Sequence, residues 1–319
     1  MIVDLPNTTT SKVAKKVMNL RETGGVVALS RVLTLVVVTQ SGFEEEAIAA
    51  ANLASREHPC RIIVVVEGAT DAPTSLGAQI RVGGDAGASE VIVLHADGDL
   101  ATANESLVNA LLLPDAPIVA WWPHGMPECA SETAIGRIAH RRITDSRTAD
   151  EPQKALFALA KSHVAGDTDL AWTRLTLWRA QLAAVLDQLD ASCLTAATVK
   201  GSSSSPSVLL LAAWLTLRLD IPVTIASSSN GTGVRSVRFS REDGDVVLTR
   251  PHDDVAELYQ PGQPVQRVSL PRRNTSVCLA EELRRLDPDE VLGEVLREGL
   301  AQTNLRAVTA SERCACGHH

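Results

Sequence analysis

The residues of this chain best suited to acid–base or ion-pair chemistry are aspartates close in sequence to arginines. The group consists of Asp145, Asp167, Asp169, Arg141, Arg142 and Arg174. Two acids held together can exchange protons with a substrate. The same residue types also cap helix ends and form salt bridges, and this structural interpretation is the simpler one for positions that bracket predicted helices.

One further arginine lies within an apolar surface. Arg179 falls inside the apolar arc of a predicted helix over Gly166–Leu189. A buried arginine requires a carboxylate partner. We therefore expect one of the three aspartates to pair with Arg179.

Tryptophan is rare in the chain, with five residues, and Trp121-Trp122-Pro123 closes a predicted strand. Adjacent side chains of a strand point to opposite faces, so we expect one indole to enter the core and the other to turn outward. Trp172 and Trp178 lie in the helix over 166–189. Tryptophan and arginine are enriched in interface hot spots, which makes this region a candidate for partner binding. Burial in a core is the alternative for each tryptophan.

Motifs for nucleotides, metals and nucleophilic catalysis do not occur. The glycine-rich segment Gly83–Ala88 departs from the G-x-G-x-x-G spacing and precedes a strand instead of following one. The chain contains neither a G-x-x-x-x-G-K-[ST] nor a G-x-S-x-G motif. Cys314 and Cys316 lie together in the terminal tail, but a structural zinc site needs two separated ligand pairs. We predict no cofactor, no metal and no catalytic residue.

The amino-acid composition limits the classes of protein to which this chain can belong. The chain has 319 residues, is 45% hydrophobic and only 3% aromatic, so its cores must be built from aliphatic side chains. The net charge of −8 argues against nucleic-acid or anionic-membrane partners. No window reaches 18 apolar residues, and the first residues do not have the pattern of a signal peptide. These features, together with scattered cysteines, predict a reduced, cytoplasmic protein.

The elements that must position these residues follow an alternating pattern. Strands buried on both faces are predicted at Val32–Val38, Arg61–Val66, Glu90–His95 and Ile118–Trp122. Helices are predicted at Glu44–Ser55, Asp99–Leu111, Ser131–His140 and Glu151–His163. Strand–helix alternation at this spacing indicates crossover units and a largely parallel sheet over residues 30–125.

The second half of the chain begins with the predicted helix over 166–189, of about six turns, with Asp167, Thr168 or Asp169 as its cap. Two alternating runs joined at Asp243–Gly244 predict a hairpin beyond it. The fold class is therefore α/β, with an N-terminal largely parallel sheet flanked by helices, a long connecting helix and a smaller C-terminal α/β (α+β) domain. The predicted divisions are 1–165, a connecting helix over 166–190, 191–304 and a flexible tail over 305–319.

Eight blocks of the sequence carry a resemblance to a known family. They are DLPNTTT at Asp4–Thr10, SRVLTL at Ser30–Leu35, SREHPCRIIVV at Ser55–Val65, RVGGDAGASEVIVL at Arg81–Leu94, LLLPDAPIVAWWP at Leu111–Pro123, GRIAHRRITDS at Gly136–Ser146, GDTDLAWTRLTLWR at Gly166–Arg179 and CLAEELRRLDPDE at Cys278–Glu290. In this order they resemble the glucose-6-phosphate dehydrogenase assembly protein OpcA. The resemblance covers almost the whole chain and weakens between Ser202 and Pro271.

The resemblance implies a non-enzymatic cytosolic factor that binds glucose-6-phosphate dehydrogenase and promotes its assembly or activity, at the entry to the oxidative pentose phosphate pathway and NADPH supply. The residues expected to bind the partner or to support that surface are Trp121, Trp122, Arg141, Arg142, Asp145, Asp167, Asp169, Trp172, Arg174 and Arg179. Self-association is left open. The alternative is a sugar-phosphate sensor or cryptic enzyme in which Arg137, Arg141 and Arg142 hold a phosphate near Gly83–Ser89.

Overall fold

The computed structural model describes residues 1–23, 32–83, 90–189, 193–228, 232–252 and 254–303. The chain divides into two compact units. Unit 1 consists of Met1–Thr173 and Arg273–Gly293, and unit 2 of Arg174–Arg272 and the residues from Glu294 onward. The domain limits expected from the sequence stay a prediction, and the tail with its two cysteines lies outside the described residues.

Unit 1 is built on an eight-stranded sheet. Its strands are β1 (Ile2–Leu5), β2 (Leu33–Gln40), β3 (Cys60–Glu67), β4 (Ser75–Arg81), β5 (Glu90–Asp97), β6 (Ile118–Trp121), β7 (Arg141–Thr144) and β8 (Asp167–Asp169). Their order across the sheet is β1-β4-β5-β3-β2-β6-β7-β8. The strands from β5 to β8 in this order are parallel, whereas β4 pairs antiparallel with β5 and β1 pairs antiparallel with β4. The predicted α/β class with a largely parallel sheet is confirmed.

The parallel strands of unit 1 have the order of a doubly wound fold. Numbered along the chain, they lie in the order 3-2-1-4-5-6, so the direction of winding reverses between β2 and β6. In such sheets, ligands bind outside the carboxyl ends of the strands at the reversal point. This order could not be read from the sequence, because local patterns contain no information on strand neighbours.

The helices of the described residues vary in length, and some are shorter than the sequence patterns predict. In chain order they are α1 (Thr10–Thr23), α2 (Glu44–Ala54), α3 (Glu105–Val108), α4 (Ala134–Ile138), α5 (Pro152–Ser162), α6 (Leu170–Thr173), α7 (Thr176–Leu186), α8 (Pro206–Arg218), α9 (Thr275–Arg284), α10 (Glu290–Glu294) and α11 (Leu300–Gln302), with a π-helical turn at Val295–Gly299. None of the helices in the described part of the chain is both long enough and apolar enough to cross a membrane.

The central strands are buried because their side chains are apolar on both sides. In β2 and β3, seven successive residues of each strand are buried. On one face of the sheet, Leu35, Ile62 and Trp121 pack with α2 and α9. On the other face, Val36 and Ile63 pack with α1. The runs of β-branched residues thus form a sheet that is covered on both sides.

The predicted helix over Gly166–Leu189 is wrong as a single element. Asp167–Asp169 forms β8, and α6 and α7 are separate helices. Helical periodicity records only the spacing of apolar residues, whereas β8 forms through parallel pairing with Arg142–Thr144, which lies far away in sequence. One of the expected caps is present, because Asp169 Oδ1 accepts the Ala171 N–H at 2.8 Å.

The other predicted helices differ in accuracy. Those over Glu44–Ser55 and Glu151–His163 are confirmed as α2 and α5. The helices over 99–111 and 131–140 are shorter than predicted, because Asn104 and Thr133 are extended and cap α3 and α4 from within the predicted ranges. Short 3-10 turns occupy Gly98–Leu100, Asn109–Leu111 and Ala130–Glu132.

Unit 2 contains a mixed six-stranded sheet. Its strands are β9 (Leu194–Gly201), β10 (Val223–Ser227), β11 (Val234–Arg241), β12 (Val246–Thr249), β13 (Val255–Tyr259) and β14 (Gln266–Ser269), in the order β10-β9-β11-β12-β13-β14. Only β10 and β9 are parallel. The predicted β11–β12 hairpin is confirmed, and Gly244 in its turn has a φ of +119°. The expected second α/β domain is therefore present.

Candidate functional site: a buried polar network in unit 1

Most of the predicted site residues of unit 1 lie at one edge of the parallel sheet. Arg141 and Arg142 belong to β7, and Asp167 and Asp169 belong to β8. Asp145 follows β7 directly. All five side chains are buried. We call these five residues, together with Thr173 and Glu282, the buried polar network.

Arg141 joins β7 to α9. Its Nε and Nη2 atoms donate to Glu282 Oε2 at 3.1 and 2.5 Å. The other carboxylate oxygen of Glu282 accepts the Thr173 hydroxyl at 2.5 Å. Arg141 Nη1 donates to the Asp287 carbonyl at 2.8 Å. The guanidinium and carboxylate are therefore both used to hold α6 and α9 against the strand.

Arg142 is held by a separate set of acceptors. Its Nε donates to Asp167, and its Nη1 and Nη2 donate to the carbonyls of Ala139 and Ala165 at 2.9 and 2.6 Å. Gly166 makes this arrangement possible with a φ of +93°. A Cβ atom at that position would lie 2.7 Å from the His140 carbonyl oxygen and 2.9 Å from Arg142 Nη2.

Asp169 is the most completely enclosed acid of the network, with no exposed surface. Its carboxylate accepts hydrogen bonds from the Thr144 hydroxyl, the Ser146 N–H, the Ser146 hydroxyl and the Ala171 N–H, at 2.8 to 2.9 Å. Burial raises the pKa of Asp169, and the negative charge of Asp145 raises it further. The hydrogen bonds oppose this shift because they stabilise the ionised form.

Trp172 and Thr173 hold the end of α6. Trp172 Nε1 donates to Asp289 Oδ2 at 2.8 Å, and the Thr173 carbonyl accepts from Arg273 Nη1 at 2.6 Å. Arg273 also forms an ion pair with Glu281. The partners on α9 and the segments around it were missed by the sequence analysis. They lie 100 or more positions away, and of these residues only Glu281, Glu282 and Asp289 fall within the block Cys278–Glu290.

The tryptophan pair at the end of β6 differs from expectation in one respect. Trp121 and Trp122 do lie in the cores on opposite faces of the sheet. Trp122 does not turn outward to solvent, however, and is only 5% exposed. The reason is that both faces of this sheet are covered. Trp121 Nε1 makes no hydrogen bond to any described residue.

The remaining predicted residues belong to unit 2. Arg174 and Arg179 are half-buried, and the expected pairing of Arg179 with an aspartate stays a prediction. Trp178 is buried beneath the guanidinium of Arg250, whose Cζ lies 5.2 Å from the indole centroid. Arg250 also donates to the carbonyls of Leu270 and Val234, at 3.4 and 3.1 Å. This second arginine–tryptophan cluster is internal to unit 2.

The arrangement of the network supports packing rather than chemistry on a ligand. Its arginines and acids bind one another and backbone carbonyls in the core of unit 1. Arg141 and Arg142 are thus engaged with buried carboxylates, while Arg137 is exposed and donates to the Glu132 carbonyl at 2.6 Å. Residues 84–89 of the loop proposed for the phosphate lie outside the described part of the chain. Within the described ranges, no group of three or more His, Cys, Asp and Glu residues is placed to hold a metal ion.

The sequence of the chain matches two protein-family models that describe an enzyme subunit. The model for the glucose-6-phosphate dehydrogenase subunit N-terminal domain matches residues 51–161. The model for the C-terminal domain of the same subunit matches residues 165–296. The chain therefore belongs to the OpcA family of glucose-6-phosphate dehydrogenase subunits.

Similar solved structures are oxidoreductases of low sequence identity. KijD10, a 3-ketoreductase from Actinomadura kijaniata in complex with NADP, is 9% identical, with 85% of this chain and 96% of that chain covered and a TM-score of 0.47. An oxidoreductase from Sinorhizobium meliloti is 10% identical, with 84% and 94% covered and a TM-score of 0.47. These similarities are too low to support an inference on activity. No curated protein matches the sequence.

Proposed function

We propose that this chain performs no catalysis and acts as an assembly factor and activator of glucose-6-phosphate dehydrogenase. The observation that carries the proposal is the match of both domains of the dehydrogenase subunit to consecutive parts of the chain. The dehydrogenase is its partner. The chain would thereby support the oxidative pentose phosphate pathway and NADPH supply, in the cytoplasm.

Activation by binding requires a difference in affinity between two states of the dehydrogenase. A subunit that bound the active, assembled form and the inactive form equally well would shift no equilibrium. The chain must therefore bind the assembled or active form more tightly. The ratio of the two affinities sets the largest activation that binding can produce.

The reversal point of the doubly wound sheet supports a non-catalytic role. In dinucleotide-binding proteins with this strand order, a glycine-rich turn after the first parallel strand brings the diphosphate to a helix N-terminus. Here that helix is α2, and its first turn consists of Glu44, Glu45 and Glu46. Phe43 precedes it and lies against His124, with 4.6 Å between the ring centroids. These residues do not fit a diphosphate, because the Glu44 and Glu46 carboxylates would repel it, while Glu45 is paired with Arg81.

We assign the ten predicted residues to support of the fold rather than to direct contact with the dehydrogenase. Eight of the ten are buried, and the other two are half-buried. Buried side chains hold strands and helices in place, whereas interface anchors must reach the partner. Their influence on the dehydrogenase is then indirect. The eight residues that belong to unit 1 would act by maintaining the shape of that unit.

The proposal is tested by co-purification of the chain with glucose-6-phosphate dehydrogenase, followed by kinetics of the enzyme with and without the chain. We expect a stable complex, a higher dehydrogenase rate, and no turnover of glucose 6-phosphate, 6-phosphogluconolactone or NADP by the chain alone. Turnover by the isolated chain would contradict the non-catalytic role. Absence of a complex would contradict the assembly role.

The supporting role of the network is tested separately with Trp172→Phe, which removes the hydrogen bond to Asp289 but keeps an aromatic ring. Trp214→Phe is the matched control, because Trp214 is half-buried in α8 and its indole has no hydrogen bond to a described residue. We expect Trp172→Phe to lower Tm and to weaken dehydrogenase binding together. Weaker binding at an unchanged Tm would instead indicate a direct contact.

A further inference from the structure

Unit 1 contains a cavity of about 420 Å³ that is separate from the buried polar network. Three parts of the chain surround it: the loop from β1 into α1, the start of β4, and the segment that leads from β5 into α3. The first of these parts belongs to the block DLPNTTT, to which the proposed function gives no role. The volume lies within the range of small-molecule sites, about 300–1,000 Å³.

The lining of the cavity is polar but uncharged. Of its ten lining residues, seven carry a hydroxyl or amide group and three are leucines. The cavity is open to solvent, since Asn7, Thr74 and Ser106 are exposed, and an ionic ligand would gain no counter-charge from its lining. A neutral ligand with many hydroxyl groups matches such a lining, since hydroxyls both donate and accept hydrogen bonds and the leucines can cover its C–H surface.

One wall of the cavity is fixed by hydrogen bonds. The Thr74 hydroxyl donates to Asp99 Oδ2 at 2.9 Å and accepts from the Asp99 N–H at 3.2 Å. Gly98 has a φ of +62°, and a Cβ there would lie 2.6 Å from the Thr74 backbone. The Thr8 N–H donates to the Leu76 carbonyl at 2.8 Å, which ties the N-terminal loop to β4. The cavity is therefore formed before any ligand binds.

Three lining side chains retain their hydrogen-bonding capacity. Within the described part of the chain, the side chains of Asn7, Thr8 and Thr10 make no hydrogen bonds, although each lines the cavity. By contrast, Thr9 Oγ1 accepts the Lys12 N–H at 3.4 Å at the start of α1. An amide and two hydroxyls offer both donors and acceptors to a ligand on this side of the cavity.

We propose that this cavity binds a small, uncharged polyhydroxyl ligand, of the class of a single sugar ring or a cyclic polyol. The inference is independent of the proposed function, because it concerns direct binding to the chain without the dehydrogenase. It also differs from the phosphate site expected from the arginines, since no charged residue lines the cavity.

Titration calorimetry of the full chain, without the dehydrogenase, tests the proposal with glucose, myo-inositol, glucose 6-phosphate and inorganic phosphate as probes. We expect saturable binding of glucose or myo-inositol, weaker or equal binding of glucose 6-phosphate, and no binding of phosphate. Failure of both neutral probes to bind would overturn the proposal. Tighter binding of glucose 6-phosphate together with binding of phosphate would also overturn it, because the site would then be an anion site.

Variants locate the site. Thr8→Val and Thr10→Val each remove one hydroxyl at nearly constant volume, and we expect each to raise the Kd of the neutral probe about fivefold, as for one lost hydrogen bond. Thr195→Val is the control, because its hydroxyl lies in unit 2 and donates to the Ser240 carbonyl at 3.1 Å. Circular dichroism checks that each variant folds. Equal Kd values for folded lining variants and the unaltered chain would refute this location.

Discussion

At the scale of single residues, Asp169 is a buried acid whose surroundings have opposing effects on its pKa. Burial and the charge of Asp145 raise its pKa, while four hydrogen-bond donors favour the ionised form. The net direction is upward. The folded protein therefore binds a proton at this position more tightly than the unfolded chain does, and stability depends on pH through this group.

We expect Asp169→Asn to flatten the pH dependence of stability. A raised pKa in the folded state gives a contribution that is fully present below the unfolded pKa, about 3.9 for aspartate, and is lost as pH rises through the folded pKa. The asparagine variant does not have this contribution. Its deficit in the free energy of unfolding relative to the unaltered chain should thus shrink as pH rises.

Urea unfolding at a series of pH values measures this deficit. Asp243→Asn is the control, because Asp243 is exposed and pairs with Arg241 in a surface turn. A deficit for Asp169→Asn that stays constant or grows with rising pH would show that the pKa is not raised.

The Arg141–Glu282 pair gives a second prediction at this scale. Glu282→Gln removes one charge from a buried pair and leaves the Arg141 guanidinium without its counter-charge, which typically costs about 3–5 kcal/mol. Glu294→Gln is the matched control, since Glu294 pairs with Arg218 and both side chains are 44% exposed. We expect that control to cost at most about 1 kcal/mol. Chemical denaturation measures the free energy of unfolding of both variants. Equal losses for Glu282→Gln and Glu294→Gln would mean that burial does not strengthen the pair.

At the scale of elements, the predictable parts were those determined by local sequence. Buried strands such as β2 and β3 have continuous β-branched runs, and the turn at Asp243–Gly244 has a residue pair typical of hairpins. By contrast, β8 has the sequence Asp-Thr-Asp, which has no strand pattern. It forms because β7 offers an unpaired edge and because buried donors stabilise both aspartates.

The site was predictable in part for the same reason. The arginines and aspartates could be named from their types and spacing. Glu282 could not be assigned as the partner of Arg141, because 141 positions separate them and no local pattern joins them. The burial of Trp122 likewise depends on helices that cover both faces of the sheet, which a local alternation pattern does not reveal.

Gly166 allows a prediction at the scale of the turn between α5 and β8. Gly166→Ala places a Cβ against the His140 carbonyl and the Arg142 guanidinium, in addition to straining a φ of +93°. Gly42→Ala is a closely matched control, because its φ is +94° and no atom lies within 4 Å of the added Cβ. Backbone strain of this kind costs about 1–3 kcal/mol. We expect Gly166→Ala to lose more free energy of unfolding than Gly42→Ala. Equal losses would show that contact of the added Cβ with His140 and Arg142 has no energetic cost.

At the scale of the whole molecule, the proposed function depends on the chain and the dehydrogenase together. If the chain promotes assembly of the dehydrogenase by some factor, linkage requires that it bind the assembled form more tightly than the dissociated form by that same factor. Couplings of this kind are typically about 5- to 150-fold. Sedimentation of the dehydrogenase with and without the chain gives the first factor, and surface plasmon resonance on each form gives the second. Equal affinity for both forms, together with promoted assembly, would rule out this mechanism.

The glutamates at the start of α2 affect whether the chain can compete with the dehydrogenase for coenzyme. Doubly wound sheets commonly bind dinucleotide coenzymes. A subunit with this fold could therefore compete with the dehydrogenase for coenzyme. The first turn of α2 is acidic, and the tilted Phe43–His124 ring pair lies beside it. We expect this end of the sheet to bind no coenzyme in competition with the dehydrogenase. We therefore expect an excess of the chain to leave the dehydrogenase's supply of NADP undiminished.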